Sequence, residues 1–239
     1  MRLDKFLFER RFVETRSKAL HLIKTGNVRV NGKAVNKQSY TVDEGDRVEV
    51  TEGFRYVGRA GYKIEEVFRK LQFDVGGSNI LDVGCSTGGF ADFFLSRGAA
   101  KVTGVDIAGE CVHEKILRNP AFVFHGGMDA RDTKAMKAVL GEEKFDIISV
   151  DVSNMVLKDV LPGLNDFLNS GGLIAALFKP PYEAGEKISS AVRLAIVSKE
   201  LTTALKKDYE LAGKIYSPLR GGAGNRGTME MFFVLRKKI

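Results

Sequence analysis

Residues 79–90 read NILDVGCSTGGF, a short apolar run that turns through glycines into the start of a helix. Ile80, Leu81 and Val83 suit a buried strand, and Gly84, Gly88 and Gly89 open the turn. Glycines at a strand-to-helix turn let a ligand approach the backbone, and the helix N-terminus offers unpaired N–H donors. A dinucleotide fingerprint has glycines at the first, third and sixth positions. Here they stand first, fifth and sixth, which disfavours NAD. A P-loop needs Lys and then Ser or Thr after its last glycine, whereas Gly89 precedes Phe90.

The alternation continues on both sides of this turn. KVTGVDI (101–107), AFVFHG (121–126), FDIISVDV (145–152) and GLIAALFK (172–179) are strand candidates, each separated from the next by a helix-length segment. Upstream, GYKIEEVFRKLQF (61–73) places Ile64, Val67, Phe68 and Leu71 on one helical face. Repeated strand–helix units predict an α/β fold, a parallel sheet with helices on both faces. The tail adds two strands, YELAGKIYSP (209–218) and MEMFFVLRKK (229–238), around the glycine-rich turn RGGAGNRG (220–227).

Charge divides the chain. Residues 1–40 hold ten lysines and arginines against three acids, and so carry the whole formal charge of +7. A basic cluster attached to a neutral body suggests a polyanion-binding module. Within it, Leu3, Phe6 and Leu7, then Ala19, Leu20 and Ile23, predict two short amphipathic helices, with Thr15 or Ser17 capping the second and Gly26 ending it. VRVNGKAV (28–35) predicts a hairpin at Asn31-Gly32, and VDEGDRVEV (42–50) a second strand pair around Gly45. Two cysteines and three histidines give neither a disulfide framework nor metal-ligand spacing. No apolar run approaches the ~20 residues of a membrane span, and charges interrupt any signal-peptide core in MRLDKFLFERRF. The expectation is a cytoplasmic enzyme or binding protein.

RLDKFLFER, TRSKALHLIKTGNVRVNGKAV and VDEGDRVEV together resemble the RNA-binding domain named after ribosomal protein S-four. The resemblance implies that Arg2, Lys5, Arg16, Ser17 and Lys18 meet the backbone of structured RNA. The predicted organisation is an RNA-binding domain at 1–50, a linker at 51–59 and a second domain at 60–239. The loop of the second domain resembles that of methyltransferases using S-adenosylmethionine. Asp106 ends the second strand of the domain, where an acid can accept from ribose hydroxyls. The candidate cofactor residues are Asp82, Gly84, Cys85, Ser86, Thr87, Gly88, Gly89, Asp106 and Asp129. By the resemblance Asp129 contacts the adenine amino group; Cys85 reads as a small wall residue.

In order along the chain, the S-four-type domain, YVGRAGYK, LDVGCSTGGF, VDVS, LFKPPYEAG and Glu230 resemble the TlyA family. These proteins are often labelled hemolysins and are similar to FtsJ-type ribose 2′-O-methyltransferases of ribosomal RNA. The resemblance implies a Rossmann-like class I methyltransferase sheet behind a small α+β RNA-binding domain. It also implies S-adenosylmethionine as cofactor, ribosomal RNA or ribosomal subunits as partner and cytidine as target. The family's catalytic tetrad falls on Lys63, Asp151, Lys179 and Glu230. KPPYEAG stands where the family more often has KPQFE, and the stretch before Glu230 is longer than usual.

The tetrad suits a ribose hydroxyl, a poor nucleophile that must be aligned with an activated methyl group and relieved of its proton. Lys179 is assigned as base, with Lys63 assisting and Asp151 and Glu230 positioning the two lysines. A lysine serves only if held neutral near physiological pH, which burial and a second ammonium favour. Three alternatives fit the residues less well. Lys179-Pro180-Pro181-Tyr182 resembles an amino-methyltransferase motif, but that motif follows the fourth strand and opens with an acceptor. A non-catalytic RNA-binding factor is disfavoured by the filled loop and tetrad. A membrane-lytic protein finds no amphipathic lipid-binding segment.

Overall fold

The computed structural model describes residues 1–24, 26–51, 53, 55–221 and 227–238. They form two compact units, Met1–Arg59 and Ala60–Ile239.

In the first unit, helices α1 (Leu3–Glu9) and α2 (Arg16–Lys24) bury Leu3 and Leu7 against Ala19, Leu22 and Ile23. Leu22 takes the core position expected of Leu20, which is half-buried. Thr15 Oγ1 accepts the Lys18 N–H at 3.2 Å and caps α2. Helix α1 ends with Arg11 N–H donating to Phe8 O (3.1 Å) and Phe12 N–H to Leu7 O (2.9 Å). That double pattern needs a left-handed residue, and Arg11 supplies it at φ 59°. Arginine there costs on the order of 1 kcal/mol relative to glycine.

Strands β1 (Val28–Val30), β2 (Lys33–Ala34) and β3 (Val48–Val50) form an antiparallel sheet in the order β2-β1-β3. Asn31 and Gly32, both at positive φ, make the expected tight hairpin. The strand pair expected around Gly45 does not form. Asp46 Oδ2 accepts the Asp43 N–H at 2.9 Å and closes a local turn, Thr41 bridges to Arg2, and β3 pairs with β1.

The second unit opens with α3 (Ala60–Leu71), burying Ile64, Val67 and Phe68. Then follow β4 (Asn79–Val83), α4 (Gly89–Ser96), β5 (Lys101–Asp106), α5 (Glu114–Leu117), β6 (Phe122–Gly126), α6 (Thr133–Leu140), β7 (Phe145–Val150) and α7 (Leu157–Leu164). A 3-10 turn (Asn165–Phe167) leads to β8 (Leu168–Phe178), α8 (Pro180–Glu183), α9 (Ala191–Val197), α10 (Lys199–Leu205), β9 (Tyr209–Tyr216) and β10 (Met231–Lys237). Helix α5 has four residues, shorter than the helix-length segment expected there. The predicted glycine-rich turn lies, over 222–226, outside the described residues.

The seven strands run β6-β5-β4-β7-β8-β10-β9. The first five are mutually parallel and β10 is antiparallel to both neighbours. On one face Leu81, Val83, Ile148, Val150 and Ala176 join a core with Met136, Leu161 and Leu164. Elsewhere phenylalanines interlock: Phe68 meets Phe94 edge-on at 5.4 Å, and Phe90 lies 6.0 Å from Phe232. Strand order reverses at β4, where open α/β sheets place their ligand crevice outside the carboxyl ends.

Candidate active site

The turn after β4 is pinned at its base: Val105 O accepts the N–H of Gly84 (2.9 Å) and of Cys85 (3.2 Å). Gly84 has φ 78°, and a Cβ there would stand 2.9 Å from the Asp151 carbonyl oxygen. Gly88 has φ 86°, and its Cβ would meet Ile116 Cγ1 at 3.1 Å. Sequence reasoning assigned these glycines to ligand approach, but at both positions the protein's own chain already occupies the space a side chain would need. Ser86 and Thr87 are exposed at the tip, and Gly89 begins α4. Cys85 is buried, and burial, then the nearby carboxylates of Asp82 and Asp106, push its thiol up, which suits a wall residue.

The three acids stand in different surroundings. Asp106 accepts the Ser86 N–H at 2.8 Å and the Ala108 N–H at 2.9 Å, bracing the loop; its oxygens keep further acceptor capacity. Asp129 is gripped by Arg131, with Nε at 3.0 Å and Nη2 at 2.6 Å, and those hydrogen bonds hold its carboxyl below the usual range. Asp82 is sealed behind the loop at 0% exposure. It faces Ser149 across the β4–β7 ladder and accepts its hydroxyl at 2.8 Å. Burial pushes Asp82 up to about 7, and among the described residues its Oδ2 has no hydrogen-bond partner.

Two lysine–carboxylate pairs form at the carboxyl edge. Asp151 directly follows β7, Lys179 directly follows β8 and Glu230 directly precedes β10. Met231 faces Phe178 in the antiparallel register, so Glu230 and Lys179 are the next facing positions. Lys63 of α3 donates to Glu230 Oε2 at 2.6 Å, with Glu230 only 2% exposed. Lys179 Nζ lies 2.5 Å from Asp151 Oδ1, a close ion pair between two largely buried side chains. Lys179 also donates to Ser153 Oγ at 3.1 Å. Two cations and two anions are balanced in this arrangement.

In the first unit, buried Asp4 accepts from Arg2 Nε (3.0 Å) and Arg16 Nη2 (2.9 Å), holding two largely exposed guanidiniums on one carboxylate. Lys5 pairs with Glu9 at 3.4 Å and Lys18 with Glu14 at 2.5 Å, while Ser17 is exposed.

Residues 56–238 match the FtsJ-like methyltransferase family, and residues 1–48 match the S4 domain. The chain belongs to the FtsJ-like methyltransferase family. It is 29% identical to hemolysin A of Brachyspira hyodysenteriae, covering 98% of this chain and 100% of that one. It is likewise 29% identical to the 23S rRNA (cytidine-2′-O)-methyltransferase TlyA of Campylobacter jejuni, covering 89% and 87%. A solved structure described as a candidate hemolysin from Streptococcus thermophilus superposes with a TM-score of 0.74 at 28% identity, covering 100% and 88%. No helix among the described residues is long and apolar enough to cross a membrane.

Sequence reasoning passed over three residues of this FtsJ-like domain. Ile107 stands 61% exposed beside Asp106, an apolar side chain left open at the end of β5. Its one signal was an aliphatic residue directly after the strand-end acid. Ser153 shares Lys179 with Asp151 and carried no signal beyond its place in VDVS. Glu183 accepts the Leu157 N–H at the start of α7 (2.8 Å), and burial pushes it up to about 7.

Proposed function

We propose that the chain is an S-adenosylmethionine-dependent ribose 2′-O-methyltransferase of ribosomal RNA, with cytidine as the target nucleoside. In this reading residues 1–50 dock the RNA, 51–59 link, and 60–239 carry the chemistry. The observation that carries it is the close backbone approach of Gly84 to Asp151, too tight for a Cβ, which sets the Lys179–Asp151 pair beside the glycine loop.

S-adenosylmethionine supplies a methyl group already activated on a sulfonium. The residues present fit it. The loop from Gly84 to Gly89 exposes Ser86 and Thr87, Asp106 retains acceptor capacity for ribose hydroxyls, and Ile107 offers an apolar face for the base. Asp129 is assigned to the adenine amino group, sharing its carboxylate with Arg131.

The remaining task is to hold a hydroxyl in line and take its proton. Lys179, buried beside Asp151 and Ser153, is assigned that proton once its nitrogen is neutral; Lys63, anchored by Glu230, orients the hydroxyl. KPPY opens with a lysine amine after β8, in place of the Asp or Asn side-chain oxygen that the amino-methyltransferase motif presents after its fourth strand.

Lys179→Ala and Lys179→Arg test the assignment. Both should retain S-adenosylmethionine affinity by calorimetry and lose transfer to ribosomal subunits, because a guanidinium keeps its proton near neutral pH. Robust transfer by the arginine variant would show that the residue only orients or balances charge.

A further inference from the structure

Beyond the sheet, the loops that carry Asp151 and Lys179 have few ties to each other. Strands β7 and β8 pair last at Val150 and Ala176. Past that point the chain runs from Asp151 through Ser153 into α7, and from Lys179 into α8. Among the described residues, three side-chain hydrogen bonds cross between 151–157 and 179–183. Two use the Lys179 amine, which reaches Asp151 O at 3.4 Å and Ser153 Oγ at 3.1 Å. In the third, the Leu157 N–H donates to Glu183 Oε1 at 2.8 Å. An amine that turns toward a substrate hydroxyl gives up ties of its own, and the Glu183 bond is then the one that remains.

A stiff turn couples Glu183 to Lys179. Lys179 O accepts the Tyr182 N–H (3.0 Å) and the Glu183 N–H (3.2 Å), and Pro180 and Pro181 fix their own φ between them. On the other side, Val156 stands at the N-cap of α7 with no side-chain acceptor, so Glu183 supplies from α8 what the local sequence lacks. A carboxyl is costly in this half-buried place. Burial first, and Asp159 after it, raise Glu183 to about 7 against the opposing pull of the Leu157 N–H and Lys158. We propose that Glu183 is a positioning residue for methyl transfer: by accepting the Leu157 N–H it clips the loop of Lys179 to the loop of Asp151 and Ser153, so that the amine stays aimed at the hydroxyl. The proposal rests on the assignment, given above, of the hydroxyl proton to Lys179. Capping of α7 for stability alone is the competing explanation.

The experiment measures single-turnover methyl transfer to ribosomal subunits by full-length variants, beside S-adenosylmethionine affinity by calorimetry and stability in urea. Glu183→Ala should slow transfer at least about tenfold at saturating cofactor and subunits, with S-adenosylmethionine affinity within about twofold of the parent. Glu183→Gln, whose amide oxygen still accepts the N–H, should keep the rate within about threefold. Val156→Ser/Glu183→Ala separates the two explanations, because a serine N-cap bonds further along α7 and returns stability without retying the loops. It should stay as slow as Glu183→Ala, and it carries the same expectation if Glu183→Ala alone fails to fold. A parental rate in Glu183→Ala, a slow Glu183→Gln, or a rate recovered by the serine would overturn the clip. Lys179→Ala is run in parallel. Its transfer at the parental rate would remove the assignment on which the proposal rests, whereas an inactive Lys179→Ala beside a fully active Glu183→Ala would overturn the clip alone.

Discussion

Lys63 Nζ and Glu230 Oε2 are 2.6 Å apart, although 167 positions separate the two residues in the chain. The pair ties the first helix of the sheet domain to the start of its last strand. Glu230 is almost completely enclosed and Lys63 nearly so. Removing one partner of such a pair leaves a buried charge, whereas replacing both does not.

Lys63→Met should therefore destabilise the protein by about 3 kcal/mol in urea unfolding, and Lys63→Met/Glu230→Met should recover most of that loss. Neither variant should transfer methyl groups. An active double variant would separate the pair from the chemistry; equal stability of single variant and parent would show that the pair is not held dry.

Gly84→Ala should affect two regions at once. The new Cβ meets the Asp151 carbonyl at 2.9 Å, on a backbone already in left-handed conformation. A loss of about 2 kcal/mol is expected, with weaker S-adenosylmethionine binding and a slower chemical step. Calorimetry and single-turnover assays check both. A variant with parental cofactor affinity and rate would contradict the coupling of loop and cluster.

Asp82 makes stability fall with rising pH. Burial raises its folded value to about 7 from the ordinary 3.8, so the folded chain binds this proton more tightly than the unfolded chain does. Its favourable contribution is full below about pH 4 and is lost as pH rises toward 7. Asp82→Asn keeps a partner for Ser149 and cannot titrate. In urea unfolding between pH 5 and 8 the variant should lack this decline and gain roughly 2–4 kcal/mol on the parent at the alkaline end. Parallel curves would contradict it.

Arg2 and Arg16 share one carboxylate, so Asp4 should matter more than its charge. Asp4→Asn makes the unit more positive, and charge alone would then strengthen RNA binding. The expected result is weaker binding by several-fold, because two guanidiniums lose their anchor. Arg2→Gln/Arg16→Gln should also reduce the log–log salt slope by about 0.7–0.9 for each phosphate that an arginine no longer neutralises. Tighter binding by Asp4→Asn would rule out the anchoring role.

What the sequence disclosed depended on local pattern. Strand runs around Leu81, Val105 and Ile148, the Asn31-Gly32 hairpin and the turn from Gly84 to Gly89 are set by neighbouring residues, and they stand where period and turn chemistry put them. The failed hairpin at Gly45 is also local: Asp46 satisfies the backbone with its side chain, and β3 finds a better neighbour in β1. Pairings that depend on sheet register were invisible. Asp82 meets Ser149, and Gly84 meets the segment after β7, only because β4 and β7 are adjacent. Resemblance put Lys63, Asp151, Lys179 and Glu230 forward together, but not which lysine each carboxylate would hold.

Product chemistry tests the central claim most directly. Ribosomal subunits incubated with the chain and labelled S-adenosylmethionine are digested to nucleosides, and the label is located by mass spectrometry. A ribose 2′-O-methyl nucleoside, cytidine in the proposal, formed by the parent and absent with Lys179→Ala, is the predicted result. Label on a base, or the same ribose product from Lys179→Ala, would contradict it.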